Sequence, residues 1–416
     1  MGRFRRAVAL FALAAVAIPL AQDGGTAWAG PAPGERFRVD AAELPAPYAT
    51  RSAVNPPRRV DRPAGALPQA PAGFAVELFA DGFDHARWLA VAADGTVFLA
   101  EPGLGQVTLL RDADGDGRAE VRVPFARGFD SPHGLALRDG YLYVADLARV
   151  WRVPWRPGAT DPPGRAEPVT PAGSLGDPGG HWTRNLAFHP DGSRFYVAVG
   201  SRGNIAEEPA PRATVQEFRA DGGGQRTFAA GLRNPVGIVF RPGTAELWVV
   251  VNERDGMGDG LVPDYLARIR DGDFFGWPYA YLGPHPQPGF AERRPDLVAK
   301  TVAPDLLFRS HSAPLGLVFY DADQFPADYR GDAFVALHGS WNAARPEGYM
   351  VARVPFADGR PRGHYEAFLT GFRTDESAEG RARVWGRPAG LAVAADGSLL
   401  VADDVADAIW RVRWAR

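Results

Sequence analysis

The chain has no cysteine among its 416 residues. That excludes disulfides, thiolate metal sites, thiol nucleophiles and covalent haem attachment through a C-x-x-C-H motif. It also excludes a lipid anchor on an N-terminal cysteine. Lysine is nearly absent: Lys300 is the single one, and arginine carries almost all the basic charge. Genomic base composition is the plain cause, and the consequence is that Schiff-base chemistry has one candidate residue. Net charge is only -3, so no bulk electrostatic attraction to nucleic acid or anionic membrane exists. Outside the N-terminus no apolar run is long enough to span a bilayer.

Glycine and proline are plentiful, at 49 and 38 residues, and they fall between short apolar runs. That spacing favours many tight turns over long helices. Residues 1–29 read as a secretory signal peptide: Arg3, Arg5 and Arg6, an apolar stretch from Ala7 to Ala21, then Ala27-Trp28-Ala29 as the cleavage site. An uncleaved N-terminal anchor is the other reading. Export of a cysteine-free chain points to the bacterial periplasm or exterior. Residues 30–72 are rich in proline, alanine and arginine and read as an extended arm or linker lying across the domain.

From Gly73 a pattern repeats: an apolar run, a DG-type turn, and a second apolar run. Six copies occur. They include HGLALRDG with YLYVAD, PVGIVFRPG with TAELWVVVNE, and PAGLAVAADG with SLLVADD. Their spacing brackets the blade period of propellers with loop insertions. The expectation is an all-β, six-bladed β-propeller over residues 73–416, with the final VADDVADAIWRVRW pairing early residues. A pair of β-sandwiches is the competing fold.

Residues just before the first strand of a blade and just after the second share one face. Three clusters lie there: Gly179 to Asn185 with Gly200 to Asn204; Gly231 to Pro278; and Ser310 to Pro314 with His338 to Arg345 and Trp385 to Pro388. Imidazole, guanidinium and carboxylate groups brought to one cleft suit an anionic ligand, a hard cation, or both.

The pieces GLRNPVG, NERDGMGD, FFGWP, HSAPLGLVFY, HGSWN and GRPAGLAV, in this order, resemble the soluble quinoprotein sugar and aldose dehydrogenases. Within that family the L-sorbosone dehydrogenase branch is the most similar. The resemblance spans roughly Gly73 to Trp414. It implies a six-bladed propeller that uses pyrroloquinoline quinone (PQQ) and calcium to oxidise a sugar or aldose hydroxyl. It further implies His181 as the base and Arg233 and Asn234 beside the quinone. His311, Arg345 and Arg387 would contact the cofactor, whose three carboxylates need cations. Calcium would sit on the backbone carbonyls of Gly256 and Met257, with Asp259 in an outer position. Electrons would leave to a separate acceptor, a cytochrome or quinone.

One departure stands out. Where the glucose-oxidising branch orients its base with an aspartate in a G-D-Q-G-like segment, this chain has Gly200-Ser201-Arg202-Gly203. Plainer readings remain for each residue: His181 as a loop histidine, Arg345 and Arg387 as ion pairs, His311 and His338 as packing residues. Two other functions stay open, a calcium-dependent lactonase-type propeller and a non-catalytic binding propeller. Separately, Asp112, Asp114 and Asp116 alternate as in a calcium loop, but Val123 stands at the twelfth place. That hairpin is either a structural calcium site or a solvated turn.

Overall fold

The computed structural model describes residues 30–374 and 380–415. The signal-peptide reading of residues 1–29 falls outside them. Six antiparallel sheets, five of four strands and one of five, form a ring. The inner strands are Trp88–Val91, Gly134–Arg138, Arg184–Phe188, Asn234–Phe240, Pro314–Phe319 and Pro388–Val393. Each touches the next around the ring, and the sixth touches the first. The expected six-bladed propeller is therefore the fold.

Short side-chain bonds set the turns that join inner strands to the second strands of their own blades. Asp94, Asp191 and Asp396 each accept the amide two residues on, at 2.8–3.1 Å. At Asp139-Gly140 both residues have positive φ, 48° and 78°, as a two-residue hairpin of matching twist requires. The glycine in HGLAL, PVGIV, PLGLV and PAGLA has a different job. A Cβ at Gly134, Gly237, Gly316 or Gly390 would lie 2.4–2.6 Å from a carbonyl of the neighbouring inner strand. Its absence lets the blades close on the axis.

The ring is shut by the chain's two ends. Phe74–Asp81 pairs antiparallel with Ala408–Trp414 and completes the sixth sheet, as expected from the terminal repeat. Closure leaves the sheet few free edges. Apolar cores form between neighbouring sheets. One packs Trp248, Val250 and Leu266 of the fourth blade against Leu317, Val335 and Ala352 of the fifth. Among the described residues no helix is long and apolar enough to cross a membrane.

The arm is ordered along the ring. Arg36–Phe37 adds an edge strand to the fifth blade, and Phe37 stacks on Tyr365 at 5.0 Å. Further on, Arg58–Arg59 pairs in parallel with Arg383–Val384. The acidic hairpin lies between the third and fourth strands of the first blade. Asp112, Asp114, Asp116 and Glu120 bring carboxylate oxygens within 4.8 Å of one another there. The sequence reading stopped at Val123 and passed over Glu120.

Candidate active site

At one end of the axis a cavity of about 440 Å³ opens among the inner-strand ends. Its walls come from the residues that flank inner strands, which is why chain segments hundreds of residues apart meet. His181, Trp182 and Thr183 precede the third blade's first strand. Arg233 and Asn234 open the fourth, and Asn252, Glu253 and Asp255 follow its second strand. His311, His338, Trp341 and Asn342 belong to the fifth blade, and Arg387 and Asp404 to the sixth.

His181 is held by its own main chain. The Ser201 carbonyl accepts from the His181 amide at 3.0 Å and lies 2.8 Å from Nδ1. A carbonyl only accepts, so Nδ1 carries the proton and Nε2 presents a lone pair. The Ser201 hydroxyl lies 3.1 Å from the same Nδ1 and donates to the Gly203 carbonyl at 2.7 Å. Ser201, through its carbonyl and its hydroxyl oxygen, thus stands where the aspartate would. Arg184 donates to the carbonyls of His181 and Thr183, both at 2.9 Å. Arg212 donates to Gly179 and Gly200. Burial, then the Arg233 charge, lower the His181 pKa to about 4, so the imidazole is neutral at neutral pH. Gly200 makes room for this: a Cβ there would lie 2.5 Å from Asn234 Oδ1 and 2.6 Å from His181 Cβ.

Arg233 is fixed by the loop it sits beside. It donates to the Glu253 carbonyl at 2.7 Å, to Asn204 Oδ1 at 2.9 Å and to Asp255 at 3.2 Å. Asp255 also accepts from Asn342 at 2.6 Å and lies 3.5 Å from His311 Nδ1. Burial works against charge on His311, but Asp255 and Asp264 outweigh it and its pKa lies above the ordinary value.

The opposite wall is a second polar group. Asp404 pairs with Arg87, with His338 at 2.8 Å and with His85 at 3.2 Å. Burial alone would raise Asp404; His338 and Arg87 outweigh it and hold the carboxyl well below its usual range. Burial and then Arg387 lower the His338 pKa to about 4. Arg387 donates to the carbonyls of His338, at 2.8 Å, and Gly339. Carbonyls do not neutralise a guanidinium, so this half-buried cation suits an anionic ligand.

His181, Arg233, Asn234, His311 and Arg387 therefore meet in one cavity. Arg345 does not: it lines a separate hollow with Arg309, Glu347 and Arg373, beneath the start of the arm. It follows the His338–Trp341 turn by several residues, enough for the chain to leave the rim. Gly256, Met257 and Asp259 also lie off the cavity wall. The Met257 carbonyl accepts the Tyr48 amide at 2.7 Å, and Asp259 accepts the Ala344 amide at 2.7 Å. Asn252, Glu253 and Asp255, one turn earlier, face the cavity instead. Sequence reasoning missed His85, Arg87, Asp264 and Asp404, which also line the cavity. The signal was present: Arg87 precedes its inner strand as Arg387 does.

A six-bladed propeller with a polar axial cavity that brings histidines, arginines and carboxylates together defines the class. Within it, the chain belongs to the TrAA12-like family, whose model matches residues 68–262 and 295–415. A second model, described as glucose / sorbosone dehydrogenase, matches residues 216–341. A pyrroloquinoline quinone-dependent pyranose dehydrogenase of Coprinopsis cinerea is 26% identical over 82% of this chain and 54% of its own length. The chain spans between 28% and 61% of the length of the first three curated relatives. The holo PQQ domain of the Coprinopsis cinerea pyranose dehydrogenase superposes with a TM-score of 0.71 at 20% identity, covering 86% of this chain and all of that one. The calcium structure of a Trichoderma reesei carbohydrate-active enzyme of family AA12 gives 0.69 at 18% identity, covering 83% and 97%.

Proposed function

We propose that this chain is a PQQ-dependent dehydrogenase that oxidises a sugar or aldose-type hydroxyl to a carbonyl. The observation that carries the reading is the meeting of a neutral His181, held by Ser201, with Arg233, Asn234 and the carbonyl-bonded Arg387 in one cavity. The names of the family models and of the Coprinopsis relative support it.

The cavity fits the cofactor. A volume of about 440 Å³ is within the range of small-molecule sites. Among the described residues, the buried Asn234 Oδ1 and Thr183 Oγ1 on its wall have no hydrogen-bond partner. Polar atoms in that state call for a polar ligand. Arg87 and Arg387 would hold carboxylates, with Arg233 and Asn234 at the reacting end. When bound, PQQ supplies the acceptor for the hydride leaving the sugar carbon.

The chain's residues do the rest. His181 Nε2 takes the hydroxyl proton as the carbonyl forms. Arg233, locked by Asn204, Glu253 and Asp255, places positive charge where negative charge develops. Trp341, half exposed at the mouth, offers an apolar surface to a sugar ring.

Gly256, Met257 and Asp259, the residues named for calcium, are not among those lining the cavity: the Met257 carbonyl accepts from Tyr48 of the arm, and Asp259 accepts from Ala344. No step is routed through calcium. Oxidation of L-sorbosone or glucose, export, and delivery of electrons to a separate cytochrome or quinone complete the reading. The lactonase alternative draws no support: among the described residues, the close grouping of possible metal ligands is the outer Asp112 hairpin, not the axis.

The test is reconstitution. The purified protein is titrated with PQQ, then offered a panel of aldoses with a redox dye. Stoichiometric binding and sugar-dependent dye reduction are expected. Lactone hydrolysis without PQQ, or no PQQ binding, would overturn the assignment.

A further inference from the structure

The arm does more than lie on the ring. Its middle, residues 45–55, grips two loops from different blades. On the fourth-blade loop, the Tyr48 amide donates to the Met257 carbonyl at 2.7 Å. The Gly258 amide donates to Ser52 Oγ at 3.1 Å, and the Asp259 amide to Thr50 Oγ1 at 2.8 Å. On the fifth-blade loop, Asn55 acts alone. Its amide N–H donates to the Trp341 carbonyl at 2.8 Å. Its side-chain Nδ2 reaches the carbonyls of Ala343 at 3.0 Å, Ala344 at 3.4 Å and Gly380 at 2.8 Å.

Both gripped loops feed the cavity. The first carries Asp255, which fixes Arg233; the second carries Trp341 and Asn342. Asn342 bonds Asp255, and Asp259 bonds the Ala344 amide, so the loops are already tied together. Hydrogen bonds to carbonyls from one half-buried amide close that arrangement from outside.

We propose that the arm braces the mouth from outside, and that Asn55 is a positioning residue that sets the Trp341–Ala344 loop for cofactor and sugar. This rests on the reading of the cavity as a PQQ site. Asn55 touches neither ligand; it acts through the loop. The arm's outer anchors, Arg36–Phe37 and Arg58–Arg59, are independent of it. A substitution at 55 therefore leaves the arm attached and the ring closed.

The experiment compares wild type with Asn55→Ala and the isosteric Asn55→Asp, whose side chain cannot donate to carbonyls. Hydrogen exchange is followed in peptides covering 255–260 and 341–344. Both variants are expected to exchange about fivefold or more faster there and unchanged in the inner strands. PQQ affinity should fall about tenfold in both, the scale of two or three lost hydrogen bonds, with the melting temperature little changed. Exchange at the wild-type rate in either variant overturns the proposal. So does PQQ affinity within twofold of wild type, or a loss that merely tracks a lowered melting temperature. If the wild type itself fails to bind PQQ while exchange still rises, the cofactor reading falls and the strap stands.

Discussion

A histidine serves as a base only when one nitrogen is bare and the ring is held still. His181 meets both conditions through Ser201, whose carbonyl and hydroxyl oxygens face Nδ1; the carbonyl fixes Nδ1–H and frees Nε2. With its pKa lowered to about 4 by burial and Arg233, it gains a proton only in acid. The sign follows directly: the base form is present above about 4 and is lost as pH falls through that value. The acid limb of kcat/KM should therefore lie near pH 4, and a limb at the ordinary imidazole value would contradict this environment. At this scale the sequence was partly legible. His181, Arg233, Asn234, His311 and Arg387 could be named because short motifs carry them. What orients His181 could not be read, because a backbone carbonyl has no residue signature. Arg345 and Arg387 looked alike in sequence; only distance from the rim separates them.

The blade was the most legible element, since alternating apolar runs and DG turns state strand, turn and strand in order. The glycine of four inner strands was visible as a repeat but not as a contact. In the ring it marks where one blade's backbone meets the next. Gly316→Ala would set a Cβ 2.5 Å from the Ala389 carbonyl, between strands that cannot part without opening the ring. A loss of about 1–3 kcal/mol is expected in denaturant unfolding, as for overpacked cores. An unchanged midpoint would show that the blades have slack. The arm was the least legible element. It has no period, and its bonds run mostly to backbone atoms of loops far away in sequence, such as Trp341 and Met257.

Across the whole molecule, function is a matter of convergence. Closure by Phe74–Asp81 on Ala408–Trp414 holds six strand ends around one axis. Arg87, His181, Arg233, His311 and Arg387, from five different blades or their flanks, share one cavity for that reason. No local stretch encodes the site; the ring does. The sequence carried the count of blades and the face, but not how far each side chain reaches toward the axis. Hence Arg87 and Asp404 were absent from the reading although they occupy the expected positions. The most direct measurement loads wild type and His181→Ala with PQQ and follows the first turnover with sugar. The account predicts unchanged PQQ affinity and a rate lower by about 10²–10⁴ in the variant. A variant that reduces the cofactor at close to the wild-type rate would contradict it.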